Sequence, residues 1–260
     1  MKKFKLPAWS YPPLAIVFWI ALWWIIAVSF GKPLLLPTPL SALRALFALA
    51  KTASFYATVL LSLLRILLGI LLAMLAGVAL ALLTAKSHFF YHLFSPLLNL
   101  FKATPVASVI FLMLLWVGRD GVPFVIAFVM ALPIVWSNVN EGLTQTDNRL
   151  LEMARVFNVP GSKILTKIRI PSLIPYFLAA TRSSIALAWK AGIAAEVLCT
   201  PERSIGRAIY EGKLYLLTDE LFAWTFVVIL ISVLIELLAL KLLNRSPYSS
   251  PLYRKEESKC

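Results

Sequence analysis

Six long apolar segments dominate this sequence and leave few folds open to it. They cover Leu14–Phe30 and then, approximately, residues 58–84, 94–117, 122–138, 173–198 and 221–243. A helix that crosses a bilayer needs about 20 mostly apolar residues, so each segment is a candidate transmembrane helix. Prolines and glycines inside such helices are tolerated where neighbouring helices satisfy the freed backbone groups. The sequence therefore predicts an all-α membrane protein, with six spans packed in one domain over residues 1–260.

The first of these segments resembles a signal peptide, because three lysines precede its apolar run. It is long and rich in tryptophan, however, and it lacks an A-x-A-like cleavage site, so we expect a retained helix. Between Pro37 and Phe55, apolar residues recur at helical spacing opposite polar ones. This pattern predicts a short amphipathic helix at the membrane interface.

Composition excludes several classes of function. The chain is 60% hydrophobic, 14% charged and carries a net charge of +13, whereas soluble domains are nearer half apolar and a quarter charged. No basic stripe alternates with aromatic residues, so we expect no nucleic-acid binding. Cys199 and Cys260 have no metal-ligand spacing, and His88 and His92 lack the further ligands that a metal would require. We predict no metal site, no bound cofactor and no catalytic site.

The distribution of basic residues sets the expected orientation. With the N-terminus inside the cell, the inner segments hold fourteen Lys and Arg residues and the outer segments hold seven. Cytoplasmic loops carry the excess of basic residues in membrane proteins. Both termini and the connection between the fourth and fifth spans are therefore predicted to be cytoplasmic.

That connection, residues 147–171, has the pattern of two short amphipathic helices. Asp147 is placed to cap the first helix, and Asn158 is a suitable terminator because asparagine enters the left-handed region more readily than other non-glycine residues. A turn at Val159–Gly161 leads to a second helix, which we expect Pro171 to stop, with Pro175 in the first turn of the next span. Periodicity alone leaves two readings open: a surface loop on lipid headgroups, or a rigid docking element.

The same stretch resembles a family signature. Glu152–Ala154, Asn158 and Ile168–Pro171 follow the spacing Glu-Ala-Ala, three residues, Gly, nine residues, Ile-x-Leu-Pro that is typical of binding-protein-dependent ABC importer permeases. Three positions depart from it: Met153 stands for Ala, Asn158 for Gly and Ile170 for Leu. The stretches SLLRILLG, PVASVIFLMLLWVGRDG and AWKAGIAAEVL further resemble the sulfonate, taurine and nitrate branch of that family.

This resemblance implies a fold, a mechanism and a set of partners. It implies a six-helix ABC importer permease bundle in the bacterial inner membrane, with a cytoplasmic coupling-helix loop between helices 4 and 5. The chain would form a homodimer and bind cytoplasmic ATPase subunits, which carry the ATP and magnesium, as well as an extracytoplasmic solute-binding protein. Without a Gly-x-x-x-x-Gly-Lys-Ser/Thr motif the chain is not expected to hydrolyse ATP itself. The signature positions expected to couple to the ATPase are Glu152, Ala154, Asn158, Ile168 and Pro171.

Charged residues within the spans are candidates for the translocation path, because intramembrane charges are costly and usually face a bundle interior or a cavity. On the fifth span, Arg182, Lys190 and Glu196 are equally compatible with lining the path and with pairing internally. Arg65, Lys102 and Glu236 are expected to pair or to reach the interface instead.

Alternative functions remain open at this point. The branch resemblance suggests a small anionic substrate, but a vitamin precursor, an amino acid or another small solute fits the same family. An ion-coupled secondary transporter would not need the docking element. An internal repeat in the sequence would favour that class, and we find none. A membrane-embedded enzyme would need convergent acid, base or metal groups, which the spans do not offer.

Overall fold

The computed structural model describes residues 11–244, which are helical throughout apart from short connections and contain no strand. In chain order the α-helices of this part are α1 (Tyr11–Phe30), α2 (Pro39–Ala50), α3 (Ala53–Lys86), α4 (His88–Ala103), α5 (Val106–Val117), α6 (Val122–Thr144), α7 (Asn148–Val156), α8 (Gly161–Ile164), α9 (Ile170–Cys199), α10 (Ile205–Leu214) and α11 (Thr218–Asn244). A π-helical turn, Leu165–Arg169, joins α8 to α9.

Helices α3, α6 and α9 form the centre of the bundle. Glycines allow α3 to approach α6 closely: a Cβ atom on Gly69 would lie 2.3 Å from the Phe124 carbonyl oxygen, and one on Gly77 would lie 2.8 Å from the Val135 side chain. Close packing is the role expected for two glycines eight residues apart on one helix, since small residues let helix backbones approach in membranes. Trp189 of α9 is buried in the same core.

The outer helices pack around this centre. The Trp23 ring of α1 stacks on Phe222 of α11, with ring centroids 5.6 Å apart. Helix α2 is capped at its start by Thr38, whose side chain accepts a hydrogen bond from the Ser41 N–H. The amphipathic helix predicted between Pro37 and Phe55 is thus confirmed as a helix.

Within the described residues 11–244, three helices are long and apolar enough to cross a bilayer: α3, α6 and the Thr218–Ala239 part of α11. Helices α4 and α5 meet that requirement only together, and they are bent by 109° at the break between them, so this segment is one bent span or a re-entrant loop. Helix α9 is long enough to cross a bilayer but is more polar than α3, α6 and α11. The apolar part of α1, Leu14–Phe30, is shorter than those three helices. Length and composition therefore support three or four spans within residues 11–244, and the count of six stays a prediction.

The two ends of the bundle are distinguished by their connections. Near the α6 C-terminus, a Cβ atom on Gly142 would lie 2.9 Å from the Leu173 and Tyr176 side chains at the start of α9. We call this the signature end, because α7 and α8 connect α6 to α9 there. At the opposite end, the α5–α6 connection meets the α9–α10 connection through Asp120 and Glu202, and we call it the loop end.

Candidate coupling element and polar sites of the bundle

The first arm of the signature stretch is a short, fully capped helix. The Asp147 carboxylate accepts a hydrogen bond from the Arg149 N–H at 2.9 Å, which satisfies one of the free donors at the start of α7. At the other end the Asn158 N–H donates to the Arg155 carbonyl, and the Val159 N–H donates to the Ala154 carbonyl. This pair of bonds is a Schellman motif, which needs a left-handed residue at the Asn158 position.

Asn158 has φ of +49°, so the left-handed turn expected there is confirmed. Glycine would adopt this conformation at less cost, and asparagine is among the few other residues that enter it readily. The departure from the family signature at this position therefore leaves the geometry of the turn intact.

The surface of α7 divides sharply between buried and exposed residues. Ala154 is only 1% exposed, whereas Val156 is 76% exposed and Phe157 is 73% exposed. Met153 is also half-exposed, and Glu152 is exposed and takes part in none of the three ion pairs found within residues 11–244. The element thus presents an apolar tip beside a free carboxylate.

The second arm differs from the sequence-based expectation. Pro171 does not stop it: α8, the π-helical turn and α9 follow one another without a break, and Pro171 lies at the start of α9. The Ile170 N–H donates to the Leu165 carbonyl in the wider π pattern. A proline in a helix has no N–H and crowds the carbonyl four residues earlier, and the π-helical turn coincides with this position. Pro175 likewise lies inside α9 and not in its first turn.

The two arms face one another across a cleft of about 420 Å³. Leu151 and Arg155 contribute one wall from α7, and Ile164, Leu165 and Arg169 contribute the other. Ile168, a further signature position, is only partly exposed. The stretch is therefore a two-armed element whose second arm continues directly into α9.

The three charged residues singled out on α9 do not come together. Arg182 Nε lies 3.2 Å from Glu236 Oε1 of α11, and both side chains are about half exposed. Lys190 is exposed on the surface of the single chain and forms none of the ion pairs present in residues 11–244.

Glu196 is fully buried and joins three helices near the loop end. One of its carboxylate oxygens, Oε2, accepts hydrogen bonds from the Ser62 hydroxyl at 2.8 Å and from the Gly206 N–H at 3.1 Å. The Ser62 hydroxyl oxygen in turn accepts a bond from the Ile205 N–H at 2.9 Å. Gly206 is needed here, because a Cβ atom on it would fall 2.3 Å from the Cβ of Glu196. Ser62 and Gly206 give no sequence signal of this contact.

A second polar contact lies beside it. Arg65 Nη2 donates to Asp120 Oδ1 at 3.2 Å and to the Glu202 carbonyl at 3.0 Å. The Glu202 N–H donates back to the same Asp120 oxygen at 3.3 Å. Arg65 therefore connects α3 to both connections of the loop end, in agreement with the internal pairing expected for it.

Helix α10 carries an exposed polar surface at the same end. Its first turn is capped by Ser204, whose hydroxyl accepts the Arg207 N–H at 3.1 Å. Arg207 Nε lies 2.7 Å from Glu211 Oε1, and this hydrogen bond raises the pKa of the arginine above its ordinary value. Thr58, Glu202 and Arg203 line a shallow cavity of about 370 Å³ beside this pair.

A polar groove of about 600 Å³ opens between α4 and α6 at the signature end. Helix α4 contributes His88, Ser95, Asn99 and Lys102, and α6 contributes Ser137, Asn140 and Glu141. The groove is absent from the sequence-based site, although its α4 residues recur at intervals of three, four or seven positions, as residues on one face of a helix do. Because residues 94–117 are predicted as one apolar span, the polar face of α4 is not recognised from the sequence.

These observations define a class of protein: a helical membrane protein with a packed three-helix centre, buried polar contacts between its helices and an exposed two-armed element at one end. The comparison with known families identifies the class more closely. Residues 69–245 match the family described as binding-protein-dependent transport system inner membrane components. The chain belongs to this family of transport permeases.

Three relatives are similar to this chain over most of their length. A putative aliphatic sulfonates transport permease of Bacillus subtilis is 26% identical over 78% of this chain and 74% of its own. The taurine transport system permease of Escherichia coli is 24% identical over 84% of this chain and 82% of its own. The nitrate import permease of a Synechocystis strain is 27% identical over 72% of this chain and 71% of its own.

Proposed function

We propose that the chain is the membrane subunit of an ATP-driven importer for a small anion, and that it acts as a homodimer of six-span subunits with two ATPase subunits. The observation that carries this proposal is the two-armed element at the signature end. It is exposed, capped at both ends of α7 and continuous with α9. Family membership supports the transport function.

Docking of an ATPase subunit at this element is supported by its surface. Val156 and Phe157 expose most of their apolar surface, and Glu152 lies one turn away without an ion-pair partner. Protein interfaces combine an apolar centre with polar groups at the rim. A partner ATPase would cover the apolar tip and pair with the carboxylate, with Ala154 and Asn158 shaping the turn.

The continuity of the second arm with α9 supports a direct mechanical connection. A 30-residue helix at a rise of about 1.5 Å per residue extends roughly 45 Å. It begins beside Ile168 and Pro171 and ends beside the Glu196 contact at the loop end. Movement of the coupling element would therefore be transmitted along one helix to the other side of the bundle, as rigid-body switching requires.

The charge distribution supports one orientation. We place the signature end, with residues 147–171, and both termini in the cytoplasm, because basic residues are concentrated in these segments. The loop end then faces outward in a bacterial cell membrane. The polar surface of α10, with Arg203, Arg207 and Glu211, is there available to a solute-binding protein.

The substrate class rests on the relatives. The proteins named above are permeases for aliphatic sulfonates, taurine and nitrate, all small and carrying an anionic group. Within the same mechanism, a vitamin precursor or an amino acid is the alternative outcome of a substrate test.

The test uses the full chain co-expressed with a candidate ATPase subunit and a candidate solute-binding protein, reconstituted in proteoliposomes. We expect ATP hydrolysis and uptake to be stimulated by ethanesulfonate, taurine or nitrate in the presence of the binding protein. Copurification without stimulation by any of the three would contradict the substrate class but not the permease assignment. Failure of any ATPase to copurify would contradict the assignment itself.

The coupling element has its own test, the substitution Glu152→Arg. We expect loss of ATPase copurification, or of uptake, with normal membrane insertion, because the substitution reverses the charge at the proposed interface. Asp219→Arg is the matched control, since it makes the same change at an exposed carboxylate of the loop end. If Glu152→Arg leaves copurification, stimulation and uptake unchanged, the ATPase docks elsewhere.

A further inference from the structure

The groove between α4 and α6 is a polar cavity at the signature end, and its lining residues lie outside the coupling element. Helix α4 is strongly amphipathic. Its groove face carries His88, Ser95, Asn99 and Lys102, and its other side exposes Phe89, Leu93, Leu97 and Leu100. Helices α4 and α5 together are long and apolar enough to form a membrane span. A continuous polar face on α4 is therefore unusual. A helix that is apolar toward lipid and polar toward a cavity fits the wall of an aqueous path.

The far wall of the groove is held in place by hydrogen bonds. The Trp136 Nε1–H of α6 donates to Thr84 Oγ1 of α3 at 3.0 Å, and the Thr84 hydroxyl in turn donates to the Leu80 carbonyl at 2.8 Å. On the near wall, Asn99 Nδ2 donates to Ser95 Oγ at 3.4 Å. Trp136 and Thr84 are both buried, so this wall is a fixed part of the bundle.

The charge of the groove is positive and not internally compensated. Lys86 and Lys102 line it against a single acid, Glu141. None of these three residues takes part in an ion pair within residues 11–244, where the pairs are Arg65–Asp120, Arg182–Glu236 and Arg207–Glu211. Lys102 lies in the last turn of α4, next to the bend at Thr104 and Pro105. An unpaired intramembrane charge beside a broken helix is typical of a substrate path.

We propose that this groove between α4 and α6 is the part of the translocation path at the signature end, and that Lys102 contacts the negative group of a small sulfonate or nitrate-like anion there. The proposal rests on the proposed function, which supplies the anionic substrate and the direction of transport. Among the path candidates taken from the sequence, Arg182 already has a partner and Glu196 is buried among three helices. A volume of about 600 Å³ leaves room for a small anion and its water.

The first experiment measures the charge of the groove without requiring a known substrate. Asn99→Cys is introduced in a Cys199→Ala, Cys260→Ser background, and the permease with its ATPase is placed in lipid nanodiscs. The thiol is labelled with a sulfonate-bearing and with a trimethylammonium-bearing methanethiosulfonate reagent. Each rate is divided by the rate of the same reagent with 2-mercaptoethanol, which removes the intrinsic difference in reactivity.

We expect the anionic reagent to be favoured, and Lys102→Gln to reduce that preference by roughly tenfold, which corresponds to about 1.4 kcal/mol for one nearby cation. Lys102→Arg should keep the preference, because it keeps the charge. Lys213→Gln, at an exposed lysine of α10 outside the groove, is the matched control and should also keep it. A preference for the cationic reagent, or an unchanged preference in Lys102→Gln, would overturn the proposal. If Lys102→Gln fails to fold, the sign of the preference with Lys102 present still decides.

The second experiment is uptake of ethanesulfonate, taurine and nitrate into proteoliposomes containing the complete transporter. We expect Lys102→Gln to lower the uptake rate at least tenfold and Lys102→Arg to restore most of it. Normal uptake by Lys102→Gln would overturn the proposal while leaving the proposed function standing. If the unaltered transporter moves none of the three anions, the substrate class fails, and a charge-dependent labelling preference still supports an anion-binding groove.

Discussion

The Ser62 hydroxyl of α3 donates a hydrogen bond to the Glu196 carboxylate of α9 at 2.8 Å, across 134 residues of sequence. The same carboxylate oxygen accepts the Gly206 N–H. A carboxylate that the sequence offered as a path residue thus holds α3, α9 and the start of α10 together. Whether its charge or only its acceptor oxygen is needed can be measured.

Glu196→Ala is expected to lower stability by roughly 2–4 kcal/mol, because it leaves the buried Ser62 and Gly206 donors without their acceptor. Glu196→Gln keeps an acceptor oxygen in place and should retain most of the stability. The measurement is the thermal unfolding midpoint of the detergent-solubilised protein, followed by size-exclusion fluorescence. Equal destabilisation by the two variants would refute an acceptor role. A stable but inactive Glu196→Gln would instead favour the path role.

Asn158 offers a test of the left-handed turn. Asn158→Gly should be neutral or slightly stabilising, whereas Asn158→Val should cost roughly 1–2 kcal/mol, because a β-branched side chain is strained at positive φ. The measurement is hydrogen exchange of the full protein, followed in proteolytic peptides from residues 147–171. The exchange of these peptides reports the change, since the Asn158 and Val159 amides close the Schellman motif. Arg155→Val, made in helical backbone of the same arm, is the control and should change exchange less. Equal protection in Asn158→Val and the unaltered protein would contradict the turn.

The close contact of α3 with α6 predicts a pair of contrasting glycine substitutions. Gly69→Ala should destabilise the bundle by about 1–3 kcal/mol, because the added methyl meets the Phe124 carbonyl oxygen of α6. Gly161→Ala should not, since its added methyl has no atom within 4 Å outside its own neighbourhood. Thermal midpoints of the two variants are compared in the same detergent. A tolerated Gly69→Ala would mean that α3 and α6 lie further apart than described.

Arg182 and Glu236 can be separated into pairing and path roles by a double substitution. If pairing is their function, Arg182→Gln alone leaves an uncompensated carboxylate and should lower expression and uptake. Adding Glu236→Gln should then restore both, because no unpaired charge remains. Uptake assays and membrane-fraction blots provide the measurement. A double variant that inserts normally but transports nothing would assign at least one of the two residues to the path.

Much of the local structure was readable from the residues. The Asp147 cap, the left-handed Asn158 and the amphipathic α2 follow from short-range chemistry, because capping, turn formation and helical periodicity depend on residues a few positions apart. The expectation that Pro171 ends a helix was wrong, and the reason for this is also local. The π-helical turn keeps the helix continuous at the missing donor, and its formation depends on the surrounding backbone.

What the sequence by itself determined is the class: its apolar segments require a helical membrane protein, and the spaced signature led to a permease family that residues 69–245 match. Only the tertiary structure decided how the charges are used. Arg182 pairs with α11, Glu196 binds α3 and α10, and Lys102 faces a groove between α4 and α6. The hydrogen-bonded partners among them lie from 10 to 134 positions apart in sequence. Helical periodicity gives the face that a residue occupies, but the packing of distant helices gives that face its neighbour.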